Sequence, residues 1–425
     1  MTDTIEQTTA TDTIDPDFAE RVRADFPVFE RRIAGKPIAF FDGPGGSQVP
    51  VTVAEAMAEY LTMHNANVHG HFATSQETDA ILFAAREAAA DFVNGSADEI
   101  VFGANTTTVT FHLSRSLGRA WGPGDEVIVT ELDHQANVAP WRRMAADNGM
   151  TVRVVPLDRG TLQLDYAALE AMLSDRTRLV AVGAASNAVG TVNDVRRVAD
   201  AARSAGALTF VDAVHYAPHQ LVDVREMGCD FLACSSYKFF GPHAGILWGR
   251  HELLERFTPY KVPPASDEVP ERWETGTQNH EAIAGILACI DWIAGIASED
   301  GDGRREALAR SYAAMHAHES ALFALLEDGL RAIPGVRFHG VARGQPRTPT
   351  AGFVVDGRTP DEIARRLGQE GVFVWNGDFY ATTVCDALGL SECGGLVRAG
   401  VAPYCTEDDV RRLVDGVARI AGTAS

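Results

Sequence analysis

Short apolar runs separated by stretches of helical period make up most of this chain. Glu126–Thr130, Val152–Leu157, Leu179–Ala185, Ala207–His215 and Phe231–Ser235 are predicted strands. Val51–His64, Ile81–Val93, Tyr166–Leu173 and Asp194–Ala205 carry helical periodicity, with Asn94 and Gly95 closing the second of these. Glu99–Leu117, EIVFGANTTTVTFHLSRSL, reads as a strand, a loop of small and hydroxyl residues, then a helix. Strand and helix in alternation predict an α/β fold with a mostly parallel sheet and helices on both faces. Before this span, Phe18–Asp25 is a short helix that must stop ahead of Pro27. After it, the helical stretch Glu281–Ala297 is expected to begin a long linking helix. From Arg304 the rhythm changes, with a helix to about Ile333 and strands near Val336–His339 and Gly352–Asp356. A helix at Pro360–Gly368, a strand at Gly371–Trp375 and a closing helix at Thr406–Ile420 with a Thr-x-x-Asp start complete the chain. Three units follow: a tail and helix over 1–35 that pack with the small domain, a large domain over 36–297, and a smaller α+β domain over 298–425.

Composition narrows the partners. With 425 residues and 46% apolar content the chain can bury a large core. A formal charge of −21 argues against nucleic acid or an anionic membrane, either of which needs a basic patch. No run of about 18 apolar residues occurs, so no transmembrane segment is predicted. The acidic, threonine-rich start lacks an apolar core and is expected to fray. Cysteines at 229, 234, 289, 385, 393 and 405 form no C-x-x-C, which predicts neither a metal site nor a disulfide framework and suits a reducing cytoplasm.

The candidate chemistry centres on Phe231–Gly249, FLACSSYKFFGPHAGILWG. Lys238 is held between two apolar runs by a Gly-Pro turn. Burial there lowers an amine's pKa and leaves more of its nucleophilic form, which is what a lysine needs to hold pyridoxal phosphate as a Schiff base. Asp212 ends the apolar stretch 26 positions earlier, and this chemistry needs a carboxylate against the pyridine nitrogen. The alternatives are a lysine that snorkels to solvent and an aspartate that caps a turn. Thr106, Thr107 and Thr108 open a helix whose free N–H groups and dipole suit a phosphate, or are a plain helix cap.

From FFDGPGGSQVP near Phe40 to LVRAGVAPYCTEDDV near Val410, ordered motifs resemble the class V aminotransferases of pyridoxal-phosphate fold type I. The resemblance is strongest to the group II cysteine desulfurases and selenocysteine lyases, and within them to a branch described only as cysteine desulfurase-like. It implies a large domain on a seven-stranded-type, mostly parallel sheet and a homodimer with shared active sites. Lys238 is implied as the cofactor lysine and as general base or acid at Cα, Asp212 as partner of the pyridine nitrogen, and His134 as the ring stacked on it. Thr107, beside Thr106 and Thr108, is implied at the phosphate with Ser235 and with Tyr237, which stands where group II enzymes carry histidine. Thr277, in RWETGTQNH, is implied at the partner subunit's phosphate. Asn187, in SNAVGT, and His215, where many relatives have glutamine, are implied beside the phenolic oxygen. Asn187 also meets the substrate carboxylate, which Arg398 of GLVRAG grips with its planar fork. The DGPGG turn is implied near the substrate. The resemblance also implies that His69 of NANVHGHFATS reaches toward the partner's site, with Gly70 in place of an arginine often found after it.

The pattern departs from the desulfurases at one place. Tyr380 stands where group II enzymes carry the cysteine that takes sulfur as a persulfide. Cys385, five residues on, lies in a predicted helix with apolar neighbours and reads as packed. A phenol has no route to a persulfide. The Tyr380 hydroxyl either donates to the substrate or the ring only fills the mouth of the pocket. The resemblance with this difference implies C–S or C–Se cleavage of a small cysteine-type amino acid, by β-elimination or release of free sulfide. Epimerisation, as in the isopenicillin N epimerase-like relatives, transamination, or cofactor binding without turnover are the alternatives.

Overall fold

The structure, a computed structural model, describes residues 16–422; the tail expected to fray lies outside them through residue 15. Seven strands form the central sheet: β1 Ile100–Gly103, β2 Glu126–Thr130, β3 Thr151–Val155, β4 Thr177–Gly183, β5 Leu208–Asp212, β6 Phe231–Ser235 and β7 Gly245–Gly249. Their order is β1-β7-β6-β5-β4-β2-β3. The central pairings are parallel, and β7 runs antiparallel to both its neighbours. Alternate residues divide between two apolar layers. Ile128, Val182, Val211 and Leu232 face one; Val127, Ala181, Phe210 and Phe231 face the other. Both faces are covered by helices, so these strands are continuous apolar runs rather than alternating ones.

A second, antiparallel sheet contains β8 Val336–His339, β9 Thr350–Val355, β10 Trp375–Gly377 and β11 Leu396–Gly400, in the order β8-β9-β11-β10. The strand expected at Gly371–Trp375 is in fact two. Val372–Phe373 pairs in parallel with Ala39–Phe40, where Phe373 meets Phe40 edge-on at 5.4 Å. Trp375 belongs to β10 and lies opposite Arg398. A period of two is the same in either sheet, so the crossing at residue 374 has no signature in the pattern.

The helix expected from Ile81 begins eight residues earlier and runs Ala73–Val93. Its first turns, ATSQETD, lack an apolar stripe, yet Ser75 and Thr78 are buried there. The Ser75 hydroxyl donates to the Asn67 carbonyl at 2.6 Å and the Thr78 hydroxyl to that of His64 at 3.0 Å, which offsets their desolvation. The helix ends at Asn94 in the left-handed conformation (φ 60°). The first helix, Pro16–Arg23, docks through Arg23, which donates to the Tyr404 carbonyl at 2.7 Å and pairs with Asp409. Thr406 and Asp409 exchange side chain–backbone hydrogen bonds at the start of Glu407–Gly422, the capping pattern expected from sequence. Among the described residues no helix is long and apolar enough to cross a membrane.

Candidate active site

The carboxyl ends of β1, β2, β4, β5 and β6 open into one cavity of about 1120 Å³, closed on its other side by β10, β11 and the loop after β10. Ligand sites in sheets of this type lie at such strand ends. Lys238 follows β6 in a single tight turn, Ser236–Lys238. Its Nζ donates to the Pro44 carbonyl at 2.7 Å and stands 4.9 Å from the Tyr237 ring. Burial, and then the charge of Arg398, lower its pKa from 10.5 to about 7, while Asp212 pulls the other way. Much of the amine is therefore unprotonated near neutral pH.

Asp212 is the last residue of β5, buried, and accepts from the Val214 N–H at 2.9 Å. Burial lifts its pKa to about 6, against the opposing pull of the Val214 N–H and of Lys238. Asp133, which sequence reasoning overlooked, lines the same cavity. Its Oδ1 accepts the Gly183 N–H at 2.7 Å and its Oδ2 the Asn137 side-chain amide at 3.1 Å. Gly183 is the residue opposite Asp212 across the β4–β5 ladder, so the two carboxyls share one buried corner. Burial, and then the charge of Asp212, raise Asp133 to about 8. Both carboxyls are pushed up by burial, Asp133 further because it also faces Asp212, so a proton held by this corner rests mainly on Asp133. The available signal was the run Glu-Leu-Asp-His after an apolar strand. His134 follows, its Nδ1 accepting from the Ala136 N–H at 2.9 Å, which leaves the neutral ring's proton on Nε2. Burial, then Lys238 and Arg398, depress its pKa to about 4.

The third wall is the N-terminus of the helix Thr106–Gly118. Asn105 caps it, accepting from Thr108 N–H at 2.9 Å. The Thr106 N–H donates to Ser235 Oγ at 3.0 Å, and the two hydroxyls are 2.7 Å apart. Thr107 lines the cavity. Thr108 does not, and its hydroxyl donates to Asn105 Oδ1 instead. Gly245 lets this turn lie directly on β7, since a Cβ there would come within 2.6 Å of the Asn105 backbone. Tyr237 also lines the cavity, stacked on His243 at 4.9 Å.

Arg398 reaches the cavity from β11. It is buried, donates to the Asn187 carbonyl at 2.9 Å, and lies 4.1 Å from the Phe379 ring centre. Burial lowers its pKa to about 9, with Asp42 opposing. Asn187 Nδ2 donates to the Phe379 carbonyl at 2.9 Å, while Asn187 Oδ1 and Arg398 Nε are buried without a hydrogen-bond partner among the described residues. His215 lines the cavity with its Nε2 3.0 Å from Thr350 Oγ1 and 3.1 Å from Thr348 Oγ1. Tyr380 stands at the mouth, 70% exposed, 5.4 Å from the His134 ring. His69 and Thr277 are exposed and outside the cavity; His69 lies beside Asp79 and Glu271. Cys385 is buried in the helix Thr382–Ala387, with burial pushing its thiol up to about 11.

A lysine and an aspartate at the strand ends of the seven-stranded sheet share one cavity with an arginine from the second sheet, the set a pyridoxal-phosphate enzyme of fold type I uses. The Aminotransferase class-V family model matches residues 39–413, and the chain belongs to that family of pyridoxal-phosphate-dependent enzymes. Among its relatives is a cysteine desulfurase of Pectobacterium atrosepticum, 32% identical over 94% of this chain and 97% of its own. The apo structure of a cysteine desulfurase from Thermococcus onnurineus NA1 superposes with a TM-score of 0.85 at 28% identity, covering 96% of this chain and 98% of that one. The cysteine desulfurase CsdA of Escherichia coli, in an S-sulfonic acid form, gives 0.81 at 29% identity over 94% and 98%.

Proposed function

We propose that this enzyme cleaves the C–S (or C–Se) bond of a cysteine-type amino acid without taking the sulfur onto a cysteine of its own. The observation that carries this reading is the content of the cavity: Lys238, Asp212 and Arg398 line it together, and among the described residues no cysteine does.

The residues fit pyridoxal phosphate. Lys238 offers an amine that is partly free at neutral pH, and Asp212 offers a buried anion for a ring nitrogen. His134 lies on the cavity wall to stack on the ring. Thr106, Thr107, Ser235 and Tyr237 suit the phosphate at the helix N-terminus, where Thr108 only supports the cap. His215 and Asn187 would serve the phenolic oxygen, and the unpartnered Asn187 Oδ1 and Arg398 Nε support a site that takes further polar groups. When bound, the cofactor supplies an electron sink for charge developing at the substrate's Cα. Arg398 binds the α-carboxylate, and Lys238 Nζ takes the Cα proton, which the departing sulfur can then receive.

Redox balance favours elimination. Cysteine and water give pyruvate, ammonium and sulfide with no net oxidation. Alanine formation leaves zero-valent sulfur, which requires an acceptor thiol, and Cys385 is buried with its thiol protonated. The proposal includes a cytoplasmic homodimer in which Thr277 and His69 serve the partner's site. Exposed Leu61, Met63, Phe72 and Phe83 support such an interface, and six free cysteines suit a reducing compartment.

The test is a screen of amino acids against purified holoenzyme, following cofactor absorbance with sulfide, pyruvate and keto-acid release. Sulfide and pyruvate from cysteine support the reading. Exchange of the Cα hydrogen without cleavage, or a keto acid that keeps its side chain, would replace it with epimerisation or transamination.

A further inference from the structure

We infer that the mouth of this cavity binds an aromatic or extended apolar group carried on the substrate's sulfur, so that the substrate class is a cysteine S-conjugate, a thioether. This rests on the C–S cleavage reading above. Three features point to it.

The first is size. At about 1120 Å³ the cavity has room for pyridoxal phosphate against Lys238, Asp212 and Thr107 and, beside it, for a side chain longer than the one methylene and thiol of free cysteine. The second is the wall. Phe111, Ala136, Ala139, Trp375, Phe379 and Tyr380 all line the cavity. Trp375 and Tyr380 are 48% and 70% exposed. Large aromatic faces left open at a cavity's edge gain most when an apolar ligand covers them.

The third is how those rings are held. The Trp375 indole N–H donates to the Asp42 carbonyl at 3.1 Å. The indole lies so close over Gly45 that any Cβ there would overlap it. Gly45 follows Pro44, whose carbonyl holds Lys238 Nζ at 2.7 Å, so the aromatic surface begins beside the reacting amine. Phe379 and Tyr380 both hold left-handed backbone (φ 56° and 57°), which costs non-glycine residues energy. They are pinned there by the Asn187 side-chain amide on the Phe379 carbonyl and the Gln135 N–H on the Tyr380 carbonyl, at 2.9 and 2.8 Å. The rings are thus positioned before a ligand arrives.

A thioether also removes the need for a sulfur acceptor. The Cα proton goes to Lys238 Nζ, the Cβ–S bond breaks, and its electron pair leaves on sulfur as a thiolate that takes up a proton. Water hydrolyses the released aminoacrylate. The sum is R–S–cysteine plus water giving R–SH, pyruvate and ammonium, with no change of oxidation state.

The experiment compares S-benzyl-L-cysteine with L-cysteine in two ways: pyruvate release by holoenzyme, and equilibrium binding read by tryptophan fluorescence. Both are repeated with Trp375→Ala and Trp375→Phe. Expected are a kcat/KM and an affinity at least ten-fold in favour of the benzyl compound. Trp375→Ala reduces that preference about ten-fold, and Trp375→Phe restores most of it. Cleavage of cysteine with no benzyl preference, or a preference indifferent to Trp375→Ala, overturns the inference and leaves C–S cleavage standing. Preferential binding of the benzyl compound with no pyruvate from either keeps the aryl site and overturns the cleavage reading.

Discussion

Replacing Lys238 by methionine in cofactor-free protein should stabilise it at pH 6, and the gain should shrink in alkali. The amine's pKa falls from 10.5 to about 7 on folding, burial being the main cause. Between those values the unfolded chain binds a proton that the folded chain does not, so stability rises with pH across that window. Below pH 7 the whole cost of holding the ammonium is present. At ~1.4 kcal/mol per pKa unit this is about 5 kcal/mol as an upper bound, falling to about 2 kcal/mol by pH 9. Solvent relaxation around a part-buried chain reduces it. Loss of the bond to the Pro44 carbonyl and of the attraction on Asp212 subtract about 1–2 kcal/mol more. A net gain of roughly 1–3 kcal/mol at pH 6 remains, and methionine fills similar volume without a charge. The assay is the thermal unfolding midpoint of both apo-proteins from pH 6 to 9. A variant less stable than wild type at pH 6, or a difference that ignores pH, would refute the claim that folding desolvates this amine.

Other substitutions separate the roles of neighbours. Cys385→Ser should leave turnover within about three-fold, because the thiol is buried away from the cavity, while lowering stability by ~1–3 kcal/mol through a buried hydroxyl; activity assays and melting curves check both. Tyr380→Phe should change kcat/KM less than about three-fold, since the exposed phenol has no hydrogen-bond partner among the described residues and the ring is what meets the ligand. Asp133→Asn keeps the charge that Asp133 has at pH 7 and should hold cofactor affinity within a few-fold, whereas Asp212→Asn removes the ionised carboxylate and should cost about 10²-fold or more in kcat. Equal losses from the two would show that the corner does not divide its protons as described.

Much of the fold was legible because burial on both faces writes a parallel sheet as plain apolar runs. Glu126–Thr130 and Phe231–Ser235 have the predicted bounds. The positions of Asp212, at the end of β5, and Lys238, in the turn after β6, were legible because each closes an apolar run. Three features were not. The buried hydroxyls that begin Ala73–Val93 look like loop chemistry until their carbonyl partners are known. The divided strand at 372–377 depends on partners more than 300 residues away in one case and about 20 in the other. Asp133 depends on the Gly183 N–H, which only the ladder brings to it. Each depends on a partner outside the element itself, and periodicity reads only the element.

The central claim is that this site breaks the bond to sulfur and keeps none of it. The most direct test is product stoichiometry from purified holoenzyme and cysteine without added reductant, with intact-mass analysis of the protein afterwards. Pyruvate and sulfide in equal amounts, no alanine, and no mass increment of one sulfur on the chain are predicted. Alanine as the main product, with a persulfide trapped on Cys385, would contradict the account and return this chain to persulfide-forming desulfurases.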